Sequence, residues 1–502
     1  MINIKLPNYK YVGASIGSGK TYQAINMICE NNCQNYLYVA PTIKLLEQVE
    51  QSFKEMDEHK SKRVFRVDGS NTTGAVRDVA LAQINITEAN TSTVVLMTTT
   101  TFLAIVADIQ WKHHWNVVFD EAFNPIEPFI ADSDYLDVFI DYLDFSDTEY
   151  VIAKSEDELK KFLITDNVIS DDVKEVFNQV ISGVYSVELA SPKKITDDVK
   201  RLSIVSYMNP ECLKDFREVL FLAALFESTV LYHLWKNQGV EYSEHPYFDN
   251  KLRNIHCTKG KLVNIGYILE DGDTTSTTTF TKSMNTGRPL GKSVEGGSVI
   301  HELIRQADSY LKKDYLIAYN KWVKVNPAVQ HADAIKVPAM AQGLNEYQHI
   351  NNMACLLSTN PAGDTANWIA TRTGLDVRKV NQIYRTQTIY QSLGRCSIRD
   401  VDNNNPKVWL IASKEDAEFI YELFDDATWL GKVGDMSKIP KYSENSFKNT
   451  DSYKEIMKEK RQAQKNIGKA KTRGNADLEE KWEGAVIFLN ERITALKKAT
   501  TH

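Results

Sequence analysis

The first 120 residues alternate short apolar runs with longer amphipathic stretches, and that alternation leaves few folds open. Residues 36–40 (Tyr-Leu-Tyr-Val-Ala), 63–67 (Arg-Val-Phe-Arg-Val), 94–97 (Val-Val-Leu-Met) and 116–119 (Asn-Val-Val-Phe) read as buried strands. Residues 21–30 and 43–56, lying between them, carry helical spacing. Runs this short with no polar face need cover on both sides. Strands alternating with helices therefore predict a parallel sheet sandwiched between helices. A second series of strand-like runs follows at 262–269, 314–319, 334–337, 354–357 and 408–412. The expectation is an α/β chain with two parallel-sheet domains in tandem, and 502 residues leave room for about three domains.

Charge divides the chain further. The net charge is -7, but residues 124–190 hold 16 acidic side chains against 4 lysines, whereas residues 438–502 hold 15 basic against 9 acidic. The first stretch interrupts the opening domain, which resumes at 219–224, and its Tyr135, Val138, Phe139 and Tyr142 stripe reads as helix. It is expected to be a helical acidic insertion over about 124–205 that repels phosphate. The second is expected to be a basic helical extension, with Leu478, Trp482, Val486, Leu489, Ile493 and Leu496 on one apolar face in need of a partner. Predicted boundaries are 1–235, 246–437 and 438–502, with a polar linker near 235–246. The Thr-rich patch 274–281 reads as a loop or edge strand. No apolar run reaches the ~18 residues of a membrane span. No signal peptide is visible, and six scattered cysteines contain no Cys-x-x-Cys pair, so a cytoplasmic protein without a zinc or disulfide framework is expected.

Three segments carry chemistry. Residues 14–21, Ala-Ser-Ile-Gly-Ser-Gly-Lys-Thr, stand between a strand-like Tyr11-Val12 and a helix. Small residues there let the backbone N–H groups around Ser15, Gly17, Ser18 and Gly19 close on phosphate oxygens, with Lys20 reaching the outer phosphates and Thr21 a magnesium ion. The similar run 287–293 (Gly-Arg-Pro-Leu-Gly-Lys-Ser) is one residue too short, follows no strand, and is read as a turn. Residues 117–121 run an apolar strand into Asp120-Glu121, placing two carboxylates at the sheet's carboxyl edge. There, Asp120 suits magnesium and Glu121 suits an attacking water. In residues 390–399, Gln391, Arg395 and Arg399 suit a γ-phosphate, with arginine stabilising charge that spreads in the transition state.

In that order the three segments resemble superfamily-2 helicases of the DEAD/DEAH-like kind. Ala14-x-x-Gly-x-Gly-Lys-Thr21 resembles motif I, Asp120-Glu-Ala-Phe123 motif II, and Gln391-x-x-Gly394-Arg395 motif VI. Arg399 lies one residue later than the family's second arginine. Pro41, Thr42 and Lys44 resemble motif Ia, Thr98, Thr99 and Thr100 the later backbone-contacting motif, and Gly343 to Asn345 motif V. Residues 222–225 (Leu-Ala-Ala-Leu) stand in place of the Ser-Ala-Thr of motif III. The resemblance implies two RecA-like domains holding ATP and Mg2+ between them. It also implies nucleic acid gripped by Pro41, Thr42, Lys44 and Thr98 to Thr100, with Gly343 and Asn345 near the nucleotide.

The expected function is an ATP-dependent helicase or translocase on single-stranded or branched DNA, with RNA as the alternative strand. Another P-loop phosphotransfer enzyme or a packaging motor is the competing class. A nuclease half would need clustered carboxylates after residue 240, and none stand out. The short leader and Asn-rich composition resemble bacteriophage proteins of replication or recombination, which would put the protein in a host cytoplasm. The acidic insertion is expected to dock a protein partner or to fence the strand.

Overall fold

A computed structural model describes residues 7–499 except 57–60, 132–134, 146–149, 166–168, 192–200, 274, 291, 293–295, 326–333, 340–345, 440–450 and 473–475. Its first sheet has seven parallel strands in the order Glu241–Glu244, Asn8–Val12, Glu218–Leu222, Trp115–Asp120, Asn35–Ala40, Thr93–Thr98 and Arg63–Val67. The strands Asn35–Ala40 and Trp115–Asp120 are buried at every residue, as continuous apolar runs require. Helices Lys20–Glu30 and Ile43–Met56 cover one face, where Ala24, Ile28, Leu46 and Phe53 pack on Tyr38 and Val118. On the other face Leu37, Val95 and Phe119 meet Phe102 and Trp235.

The second sheet has six parallel strands in the order Ala334–Val337, Tyr315–Tyr319, Asn352–Leu356, Lys407–Ile411, Val263–Tyr267 and Thr428–Lys432. Two tandem parallel-sheet α/β domains are therefore the architecture. The edges depart from the sequence expectations. Polar residues 241–244, expected as linker, form an edge strand on Asn8–Val12, and the connection to the second sheet begins after them. Thr428–Lys432 is an edge strand that the apolar pattern did not mark, since edges tolerate mixed residues. Within the Thr-rich patch, Thr277–Phe280 is a helical turn, with the Ser276 hydroxyl accepting from the Thr279 N–H. Of the run 287–293, residues 291 and 293 lie outside the described residues. Gly287 closes the preceding turn by donating its N–H to the Ser283 carbonyl, and Pro289 bridges Lys282 rather than continuing a turn.

The insertion is not purely helical. Helices Leu136–Tyr142, Glu156–Thr165 and Asp171–Ile181 pack on a three-stranded antiparallel sheet ordered Ile126–Ala131, Leu202–Met208, Tyr185–Leu189. Phe139, Leu159, Val173, Phe177 and Ile204 form its core. Pro128 and Glu127 disguise the first of these strands; an edge position accommodates the missing N–H. At the far end, helices Asp451–Thr472 and Ala476–Ala499 make a hairpin. Its apolar face finds its partner there: Trp482, Val486, Leu489 and Ile493 pack with Ile456 and Ala463.

Candidate active site

The phosphate-loop segment turns directly from strand Asn8–Val12 into helix Lys20–Glu30. Gly17 and Gly19 hold left-handed backbone conformations (φ 64° and 92°) that a side chain would strain. A Cβ on Gly17 would also come within 3.1 Å of the Arg399 side chain, which packs on the loop from the second domain. Lys20 is buried, and its Nζ donates to the carbonyls of Ala14 (3.1 Å) and Ser15 (2.8 Å). Burial pushes its pKa down to about 8, with Glu121 pulling the other way and Arg399 reinforcing the drop. The Ser18 hydroxyl is buried without a protein partner.

Asp120 closes strand Trp115–Asp120. The Thr21 hydroxyl donates to its Oδ2 at 3.0 Å, and the Tyr38 hydroxyl, fully buried on the adjacent strand, donates to the same oxygen at 2.7 Å. Burial, and then the Glu121 charge, push the Asp120 carboxyl up to about 6. Glu121 leaves the strand with φ 98°, a conformation that costs a non-glycine residue energy, while its N–H is held by the Leu222 carbonyl at 3.1 Å. That turn aims its carboxylate at the second domain, where Gln391 Nε2 donates to Glu121 Oε2 at 2.9 Å.

Helix Val377–Leu393 delivers Gln391, and the turn after it delivers the two arginines. Gly394 sits where a Cβ would strike Ile16 at 2.9 Å, so a small residue lets this helix end seat against the phosphate loop. Arg395 is buried and Arg399 half-buried, each with its Nε buried and unpartnered. Burial, and then the neighbouring Arg399, lower Arg395 to about 9; burial also lowers Arg399, opposed by Glu121. The later position of Arg399 is accommodated by a tight turn: residues Ser397–Arg399 form a single 3-10 turn that returns the chain to Gly17.

Gly17 to Thr21, Asp120, Glu121, Arg253, Gln391, Arg395 and Arg399 border one cavity of about 670 Å³. Buried cationic and hydroxyl donors without protein partners suit a polyanion, and the paired oxygens of Thr21 and Asp120 are the hard ligands magnesium takes. The residues present fit a nucleoside triphosphate with Mg2+.

Several supporting residues carried no sequence signal. Besides Tyr38, the connection between the domains wraps the phosphate loop: Arg253 donates to the Gly17 carbonyl (2.9 Å) and the Ile255 N–H to the Ser15 hydroxyl (3.2 Å). The Tyr390 hydroxyl accepts from the Ile16 N–H at 3.0 Å and lies 2.6 Å from His256 Nε2. These contacts depend on tertiary neighbours rather than on spacing.

The residues expected to grip nucleic acid stand at the carboxyl ends of two adjacent strands. Pro41 and Thr42 follow Asn35–Ala40, and Thr98, Thr99 and Thr100 end Thr93–Thr98 and begin the next helix. Part of their capacity is already used: Thr42 Oγ1 accepts from the Leu45 N–H and Thr98 Oγ1 from the Thr101 N–H, both at 3.2 Å. Lys44 pairs across the domains with Glu346 at 3.0 Å, both side chains half-exposed. Gly343 and Asn345 lie outside the described residues. In the motif III position the Ala224 carbonyl accepts from Gln387 Nε2 at 3.1 Å, a backbone contact that needs no hydroxyl.

Residues 7–124 match the sequence profile of the family described as DEAD/DEAH box helicase. No curated protein matches the chain. Among solved structures, similarity extends to an XPD helicase (14% identity, 84% of this chain and 96% of that one, TM-score 0.46). It also extends to S. cerevisiae Dbp5 bound to RNA and ADP BeF3 (8% identity, 86% of each chain, TM-score 0.37) and to Mss116p bound to ssRNA and AMP-PNP (10% identity, 93% and 78%, TM-score 0.34). The profile match spans residues 7–124, the part of the chain that holds the phosphate loop and Asp120-Glu121, and it supports an ATP-hydrolysing, helicase-like activity.

Proposed function

We propose that the chain binds ATP between its two sheets and uses the hydrolysis to move along or remodel a nucleic-acid strand. One observation carries the reading: Gln391 and Glu121, 270 positions apart, meet by a hydrogen bond beside the phosphate loop, with Arg395 and Arg399 converging on the same cavity. In this reading Lys20 and the loop N–H groups hold the phosphates, and Thr21 and Asp120 hold the metal. Magnesium, when bound, neutralises charge on the β- and γ-phosphates. Glu121 orients the attacking water and takes up its proton, and Gln391 fixes that carboxylate. Arg395 and Arg399 face the charge that grows on the transferred group. Because they belong to the second domain, hydrolysis requires a closed cleft, and closure alternates the grip on a strand lying over both domains.

Pro41, Thr42 and Thr98 to Thr100 are the proposed backbone contacts of that strand. Lys44 joins them when its pairing with Glu346 opens, and Gly343 and Asn345 complete the second domain's side. DNA is the proposed strand, on the resemblance of the sequence to bacteriophage replication proteins alone. ATP turnover measured with single-stranded DNA, duplex, a fork and RNA tests this. Stimulation by single strands or forks of DNA is expected. Stimulation by RNA alone transfers the proposal to RNA, and no stimulation by any of them ends the translocase reading.

A further inference from the structure

We infer that the acidic insertion is an internal bracket that holds the second domain's wall of the nucleotide cleft, with Glu188 as its positioning residue. The inference rests on the functional reading above. Glu188 lies on strand Tyr185–Leu189, inside the segment whose net negative charge marks it out from the rest of the chain, yet it is only 2% exposed. Its carboxylate accepts from three donors on two other elements. Tyr207, on the insertion's central strand, donates to Oε1 at 3.0 Å. Trp368 Nε1 and the Arg372 guanidinium, both on helix Gly363–Thr373 of the second domain, donate to Oε2, at 2.8 Å for the indole and 2.7 Å for Arg372 Nη2.

Apolar packing follows the same path. The Tyr207 and Trp368 rings lie 5.2 Å apart. Trp368, Ile369, Val380 and Ile383 of the second domain share one buried cluster with Val205, Tyr207, Leu231 and Trp235. Asn237 Nδ2 donates to the Arg372 carbonyl at 2.8 Å, and the Ser203 hydroxyl to Asp364 at 3.0 Å. Helix Gly363–Thr373 packs in turn on Val377–Leu393, the helix that ends in Gln391. A contact made by the insertion therefore reaches the residue that holds Glu121 through two packed helices. A fully solvated acidic module would have no reason to bury a carboxylate against another domain. A buried carboxylate held by three donors, one of them a partly exposed guanidinium, fixes orientation even where it adds little net stability.

Glu188→Gln and Arg372→Gln proteins, the latter altered at a partly exposed side chain, test the bracket by two readouts. Amide hydrogen exchange in residues 363–373 is expected to accelerate about tenfold while residues 20–30 stay protected. ATP turnover at saturating ATP is expected to fall about tenfold while affinity for a fluorescent ATP analogue, set by the first domain, stays within about twofold. The double variant should be no worse than the more affected single one. Unchanged exchange in both variants would overturn the bracket. Faster exchange with full turnover would overturn the positioning role. A wild-type protein without ATPase activity would instead remove the functional reading, and the exchange arm would still decide whether Glu188 holds the helix.

Discussion

Asp120 and Arg395 face the same cavity from opposite domains, and burial has dealt with them differently. Asp120 is desolvated but accepts hydrogen bonds from Tyr38 and Thr21, so its carboxylate is held in place before any ligand arrives. Arg395 and Arg399 are desolvated beside each other, with both Nε groups unpartnered. Lys20, on the first wall, rests on two backbone carbonyls. One wall is thus assembled by its own hydrogen bonds, whereas the other holds two cations that the Glu121 charge offsets only in part. An isolated buried cation is costly, and an anion placed against it offsets that cost. Under the proposed function the first wall binds, and the second responds to charge that appears during reaction.

The sharpest way to break this contrast is at the first wall. Lys20→Ala should reduce ATP turnover to background and weaken nucleotide binding by about a hundredfold or more, read by titration with a fluorescent ATP analogue. Retention of measurable turnover would mean that the loop is not the phosphate site. At the second wall the split should reverse. Arg395→Ala should slow hydrolysis by ~10³-fold while ATP affinity changes by less than about tenfold. Equal losses in affinity and rate would show that both walls hold the ground state, and the contrast would disappear.

How legible each wall was follows from how it is built. The first is local: a strand, a small-residue loop and a helix lie within residues 8–30, and Asp120 ends a strand whose apolar run announces it. Gln391 and Arg395 were visible only by their resemblance to a motif. Alone, residues 390–399 favour a solvated, amphipathic helix over a site. Tyr38 was hidden because a tyrosine in the run Tyr-Leu-Tyr-Val-Ala is indistinguishable from core until its neighbour strand is known. Arg253, Tyr390 and Glu188 were hidden for the same reason: each has a partner 134 to 374 positions away. Strand runs were easy where both faces are buried. Of the edge strands, Arg63–Val67 and Ala334–Val337 were legible but Glu241–Glu244 and Thr428–Lys432 were missed, and Arg63–Val67, expected buried, exposes Arg63 and Phe65 at the edge. The acidic composition of the insertion suggested a surface module, because net charge counts residues and does not say which one is buried.

A smaller effect is expected from the basic hairpin, which contrasts with both walls in having its charge solvated. Lys458, Arg461, Lys465 and Lys469 project from helix Asp451–Thr472, while its apolar face packs on the partner helix. If these side chains meet phosphates, a chain ending at residue 439 should bind DNA with a shallower dependence on salt. The log–log slope should drop by roughly 0.7–0.9 for each phosphate that is no longer neutralised. An unchanged slope would leave the hairpin as a solvated structural element and confine nucleic-acid binding to the two sheets.

The smallest effect tests the first wall in the absence of any ligand. The Asp120 carboxyl has an ordinary value of 3.8 and is raised to about 6 in the folded protein. The folded state therefore holds its proton more tightly than the unfolded chain does. Its contribution to stability is most favourable below about pH 4, is lost as pH rises through about 6, and is constant above that. A shift of about two pH units corresponds to roughly 3 kcal/mol of unfavourable charge burial at pH 8. Asp120→Asn keeps the shape and removes the charge, so it should raise the melting temperature of the nucleotide-free protein most at pH 7–8. The gain should narrow as pH falls from 6 towards 4, since the native carboxyl is then protonated as well. Asparagine still offers a carbonyl oxygen to Tyr38 and Thr21, so the hydrogen bonds do not confound the comparison. A gain independent of pH would mean that the two hydroxyls already neutralise the carboxylate's cost, and the first wall would then carry no stored charge for a metal to relieve.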